Sequence, residues 1–197
     1  NDDGNSAVKN LTVHICPPTV EKSPTLNQDF TGLCNQSVSV IGNHTNLKIA
    51  VGEGAGRDYF LVVTNGITVP MPTTTTNTYV SYEKPIINSM TPHTSPTSGG
   101  HVAYIYGDNF GPAWSKIVVQ FQTSNGISFP PVNTIYHNHT AIKFIMPEGQ
   151  GVNLGLTINV GEKDYYVGST KNNFFSYQLP KLGKTINNEK IYIQPEE

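Results

Sequence analysis

Residues 43–63 read NHTNLKIAVGEGAGRDYFLVV, and residues 138–158 read NHTAIKFIMPEGQGVNLGLTI. The two stretches align without a gap at a constant offset of 95 residues. Asn43, His44, Thr45, Lys48, Glu53, Gly54 and Gly56 recur as Asn138, His139, Thr140, Lys143, Glu148, Gly149 and Gly151. Apolar character is kept at Leu47/Ile142, Ile49/Phe144, Val51/Met146 and Leu61/Leu156. The same offset carries Ser81-Tyr82-x-x-Pro85 onto Ser176-Tyr177-x-x-Pro180. A single period of this length predicts tandem copies of one domain, because solenoid periods are shorter. The boundary is expected at Lys84–Pro85, where proline stiffens a short linker.

Within each copy the pattern is that of strands. Leu11–Ile15, His101–Tyr106 and Lys116–Phe121 alternate apolar and polar residues, as half-buried strands do. Asn65-Gly66 and Asn125-Gly126 are tight-turn dipeptides. No apolar series at helical spacing survives the frequent Gly, Pro and β-branched residues. The chain is therefore expected to be all-β, built as two tandem β-sandwiches. Only 13% of its 197 residues are charged, with 12 Lys+Arg against 14 Asp+Glu. That balance excludes the clustered basic face of a nucleic-acid binder and a polybasic membrane-surface module. No apolar run reaches the roughly 18–20 residues of a membrane span. The opening Asn1-Asp2-Asp3-Gly4-Asn5 has no Met, basic n-region or apolar h-region and reads as the start of a mature or excised segment.

The copies differ in completeness. Nothing ahead of the first copy corresponds to Pro85–Gly111 of the second, and Leu11–Ile15 aligns with Ile117–Phe121. The expected organisation is a domain at residues 1–84 lacking its first strands, a complete domain at 85–180, and a C-terminal extension or start of a following segment at 181–197. Lys190–Ile193 is a candidate strand of that extension. A sandwich without its first strands leaves an open edge, so an upstream segment is expected to supply them.

The second copy carries a recognisable series. Pro85-Ile86-Ile87-Asn88-Ser89-Met90-Thr91-Pro92 is followed by the Ser98-Gly99-Gly100 turn, then by Ile105-Tyr106-Gly107-Asp108-Asn109-Phe110-Gly111. This resembles the start of an IPT/TIG domain, the immunoglobulin-like (E-set) fold of plexins, Met-type receptors and some transcription factors. The resemblance covers 85–180 directly and 1–84 through the repeat. The Asn/Thr-rich, sequon-bearing composition is also similar to the ectodomains of the tiger adhesion receptors of social amoebae. That resemblance implies heterophilic cell–cell adhesion and self-recognition.

Four Asn-x-Ser/Thr sequons, at Asn10, Asn35, Asn43 and Asn138, are candidates for N-linked glycans. Asn43 and Asn138 occupy the same loop of the two copies. Cys16 and Cys34 are the only cysteines. In an extracellular domain they read as a disulfide worth about 3 kcal/mol, clamping the extra segment Pro17–Leu33; in a cytosolic protein they would be free thiols. Gly107 and Gly111 let the chain reverse around Asn109-Phe110, and Phe110 is expected to plug the sandwich end. Gly52-x-Gly54-x-Gly56 lacks the following helix of a phosphate loop and reads as an interstrand turn. Trp114, the only tryptophan, is expected to anchor the core, with a partner-binding hot spot as the alternative.

No catalytic motif is present: no nucleophile elbow, no His-Glu-x-x-His and no Cys-x-x-Cys. His137 and His139 lie two apart on strand-like backbone, but no third zinc ligand is suggested nearby. No catalytic, cofactor or metal residue is expected. The favoured reading is a non-enzymatic extracellular, cell-surface recognition segment that binds another cell-surface protein, heterophilic or homophilic, in a membrane-anchored full chain. The alternative is an accessory or carbohydrate-binding module of a secreted or cell-surface enzyme, for which Tyr165-Tyr166 is the candidate aromatic platform. A TIG domain of a DNA-binding factor conflicts with the charge and the single Arg57.

Overall fold

The computed structural model describes residues 12–17, 37–38, 40–42, 47–64, 79–161 and 166–180. Alternation and frequent turns produce strands throughout, and the described residues contain no helix. In chain order the first part holds β1 (Thr12–Cys16), β2 (Ser37–Val38), β3 (Val40–Gly42), β4 (Leu47–Ile49), β5 (Tyr59–Thr64) and β6 (Tyr79–Val80). The second holds β7 (Ile86–Thr91), β8 (Thr94–Ser95), β9 (Val102–Asp108), β10 (Ile117–Gln122) and β11 (Asn133–His137). It continues with β12 (Ala141–Ile145), β13 (Leu154–Val160) and β14 (Val167–Tyr177).

Two sheets, ordered β11-β12-β9-β7 and β10-β13-β14-β8, make the second part. Period-2 alternation sends Ala103, Ile105, Ile142 and Phe144 inward from one sheet, and Val119, Phe121, Leu156 and Ile158 inward from the other. Phe121 bridges the layers, with its ring centroid 6.2 Å from that of Phe144 and 5.1 Å from that of Phe175. Each such fully buried side chain stabilises the fold by about 1.5–3 kcal/mol. Residues 127–132 run back along the β10 edge, where the Phe129 and Val132 amides donate to the Phe121 and Val119 carbonyls at 2.8 and 2.9 Å. That covers an edge which would otherwise offer unpaired backbone to another chain. Phe110 is fully buried, as a plug should be.

The first part repeats this pairing at the 95-residue offset. The order β1-β5-β6 mirrors β10-β13-β14, and β3-β4 mirrors β11-β12. Ile41 faces Lys48 and Gly42 faces Leu47, as Tyr136 faces Lys143 and His137 faces Ile142. Counterparts of β7 and β9 are absent from the described residues of the first part. The expected strand at Lys190–Ile193 lies outside the described residues.

Candidate functional site

Each copy is pinned by a tyrosine whose surroundings recur almost bond for bond. The Tyr82 amide donates to the Gly56 carbonyl at 2.9 Å, and the Tyr177 amide to that of Gly151 at 2.8 Å. The Asp58 amide donates to Ser81 Oγ at 3.0 Å, and the Asn153 amide to Ser176 Oγ at 2.9 Å. The hydroxyls reach back to the Gly52 and Pro147 carbonyls, at 3.3 and 2.8 Å. Gly54 and Gly149 leave room for the two rings, since an added Cβ would fall among the ring atoms. Burial raises the pKa of both phenols. The glycine-rich stretch 52–56 is thus the rim of this corner, not a phosphate loop.

That rim is also where the two parts meet. Ala55, 7% exposed, joins the hydrophobic cluster of the second part. It lies opposite Gly111, where an added Cβ would stand 2.9 Å from the Ala55 Cβ. Asn109, at φ 60°, donates from Nδ2 to the Lys84 carbonyl at 3.2 Å and to Glu83 Oε2 at 3.3 Å. His139 Nε2 is 3.6 Å from Glu53 Oε2. These groups line a partly open cavity of about 230 Å³, with Tyr82, Glu83, Asn109, His139, Val160, Val167 and the glycine backbone on its walls.

Beyond Gly111 the chain makes a tight turn that carries Trp114. The Ser115 amide and hydroxyl both donate to the Pro112 carbonyl, at 2.9 and 2.8 Å. Ser115 Oγ also lies 3.2 Å from His137 Nε2. Burial lowers the His137 pKa, and neighbouring His139 adds to that effect, while a backbone bond to Pro112 opposes it. The turn is locked, yet Trp114 is 64% exposed. The core-anchor expectation for Trp114 is therefore wrong. Phe110 already fills the sandwich end, and the Pro112–Ser115 turn holds the indole outside it. No sequence signal marks the Ser115–His137 lock or the burial of Ala55, because both depend on segments brought together by folding.

Asn138 follows His137 immediately. Its Oδ1 accepts from the Ala141 amide at 2.9 Å, the Thr140 amide at 3.0 Å and the Thr140 hydroxyl at 3.3 Å. The three donors fix the amide orientation, and Nδ2 makes no hydrogen bond among the described residues. His137 and His139 engage different partners, Ser115 and Glu53, and do not converge. Cys16 is fully buried beside Phe60 and Val62. Cys34, Asn10, Asn35, Asn43 and Tyr165 lie outside the described residues, and Tyr166 is half-buried.

Residues 85–177 match the family model of the IPT/TIG domain, so this part of the chain is a single, all-β, immunoglobulin-like IPT/TIG domain. A search of the curated proteins finds no match to the chain. Among solved structures, a protein named "Putative phosphatase" from Bacteroides thetaiotaomicron is similar at 24% identity and a TM-score of 0.39. The likeness covers 51% of this chain and 19% of the other, so the chain spans about a fifth of that protein's length. At that score it carries no argument.

Proposed function

We propose that the chain is a segment of an extracellular adhesion or recognition ectodomain that binds a partner protein. The observation that carries this reading is Trp114: a large aromatic side chain, 64% in water, on a turn held by three hydrogen bonds. Burying it in a partner removes about 150–250 Å² of surface, and little conformational entropy is lost because the turn is already ordered. IPT/TIG domains occur in cell-surface receptors and other extracellular proteins. The repeated tyrosine corners and strand pairings support two tandem IPT/TIG-like sandwiches, at 1–84 and 85–180, joined at Pro85. In this setting Cys16 is disulfide-bonded to Cys34, and Asn10, Asn35, Asn43 and Asn138 are N-glycan sites. Asn138 Nδ2, held in place through Oδ1 and making no hydrogen bond among the described residues, suits such a sugar. The full chain is membrane-anchored and the segment is not an enzyme. Its working relatives in kind are adhesion receptors of the tiger type.

Beads coated with the full chain test the reading against live cells of the organism that produces it. Beads carrying the native chain are expected to adhere, and Trp114→Ala beads to lose most adhesion while the variant melts at the native temperature. Native beads that never adhere, or a Trp114→Ala variant that adheres as well as the native chain, would overturn it. Intact mass before and after glycosidase and reductant tests the compartment. Free thiols with no mass shift would place the chain in the cytosol.

A further inference from the structure

The two outer faces of the IPT/TIG domain differ sharply in chemistry. On β10-β13-β14 the outward positions are mostly polar, Val118 apart: Gln120, Thr157 and Thr170 stand side by side in register, and the two threonine hydroxyls bond each other at 2.8 Å. On β11-β12-β9-β7 the outward positions include Val102, Tyr104 and Tyr106 of β9, Lys143 and Ile145 of β12, and Tyr136 of β11, with Asp108, Ser89 and Thr91 toward the β7 margin. The register aligns Tyr136, Lys143 and Tyr104 across three strands. Tyr104 and Tyr106 lie with their rings nearly parallel, 9° apart at 6.2 Å. Tyr106 and Tyr136 are 44% and 51% exposed. A sheet face open to water ordinarily alternates toward polar residues, so three outward tyrosines gathered on one face, with none on the outward positions of β10-β13-β14, mark an interaction surface.

Charge identifies the occupant. Lys143 is the cation at the centre of this face, its Nζ 5.9 Å from the Tyr104 ring centroid, and it makes no ion pair among the described residues. The one carboxylate of β9, Asp108, sits at the far margin and accepts from Asn88 Nδ2 at 3.1 Å. Two copies docked face to face through this sheet would therefore set Lys143 near Lys143, with no central carboxylate between them. We infer that the outer face of β11-β12-β9-β7 docks a different protein, one that presents a carboxylate to Lys143 within an apolar or aromatic surround. The inference rests on the partner-binding reading proposed above.

Four strands about 4.8 Å apart and five residues long span roughly 300 Å² in plan. This is well below the roughly 800 Å² per partner of a stable protein contact, so single-site affinity is weak and many copies act together. Tyrosine exclusion of water strengthens the central ion pair, which then sets partner choice more than strength. The Asn138 turn lies at the end of the β11–β12 hairpin, so a glycan there borders the face without covering its centre.

The bead assay on live cells separates the outcomes. Lys143→Glu, and Tyr104→Ser combined with Tyr106→Ser, are each expected to reduce adhesion at least tenfold. Lys143→Arg should retain it, and Gln120→Glu and Thr157→Lys on the polar face should leave it unchanged. Mild protease treatment of the cells should abolish adhesion. Several results overturn the inference while leaving partner binding intact: face variants that adhere normally, adhesion resistant to protease but lost on periodate treatment, or native beads that cluster with one another without cells. Native beads that fail to adhere at all bring down the adhesion reading itself. Circular dichroism of each variant, matching the native chain, confirms that a loss is not unfolding.

Discussion

Gly111 and Gly126 share one backbone conformation, φ +79°, but not one environment. An added Cβ at Gly126 meets nothing within 4 Å, whereas at Gly111 it would stand 2.6 Å from Ser115 Oγ, 2.9 Å from Ala55 Cβ and 3.1 Å from Val160 Cγ1. Alanine at either position pays the left-handed backbone penalty, about 1–2 kcal/mol. Each also gains about 0.4–1 kcal/mol from a less flexible unfolded chain. Those terms cancel in the comparison. What remains at Gly111 is overpacking against the Trp114 turn and the first part of the chain, about 1–3 kcal/mol. Gly126→Ala should therefore cost about 1 kcal/mol, and Gly111→Ala about 3 kcal/mol. With about 4–8 °C per kcal/mol for a domain of this size, the melting points should separate by roughly 10 °C. Urea denaturation followed by circular dichroism, with Trp114 fluorescence as a local probe, measures both. Adding Ala55→Gly to Gly111→Ala should recover about 1 kcal/mol, because the two sites touch and are coupled. Equal losses at the two glycines, or no recovery from Ala55→Gly, would refute the packing described at the junction.

The matched tyrosines give a second comparison. Tyr177→Phe breaks a 2.8 Å bond from a buried residue and should cost about 1–1.5 kcal/mol, against about 0.5 kcal/mol or less for Tyr82→Phe, whose bond is longer and exposed. Urea midpoints decide it. Both phenols have raised folded pKa values. Their stability contribution is complete below pH 10 and falls as pH rises through the folded pKa, and the Phe variants should show a shallower alkaline loss. His137 runs the other way. Its folded pKa is lowered by burial, so the native chain should lose stability as pH falls below about 6.5, and denaturation at pH 7.5 and 5 should show a smaller difference in His137→Gln. Trp114→Ala should change stability by no more than about 0.5 kcal/mol, as the exposed side chain supports no core, while adhesion collapses.

Much of this architecture was legible because it rests on local periodicity. Alternation at His101–Tyr106 and Lys116–Phe121 dictates which side chains face inward, whatever the rest of the chain does, and β9 and β10 form there. The repeat at offset 95 was legible for the same reason: Gly54 and Gly149, with Tyr82 and Tyr177, are kept because a ring must pass where a Cβ would stand. Trp114 was misread. An indole's apolar area favours burial in general, but whether room exists for it is decided by Phe110, Pro112 and Ser115, whose positions depend on His137 some twenty residues away. Nor could alternation reveal that Tyr104, Lys143 and Tyr136 form one row. A strand's own pattern determines which residues point outward. Only the pairing register between strands, a product of the folded chain, decides which outward residues become neighbours.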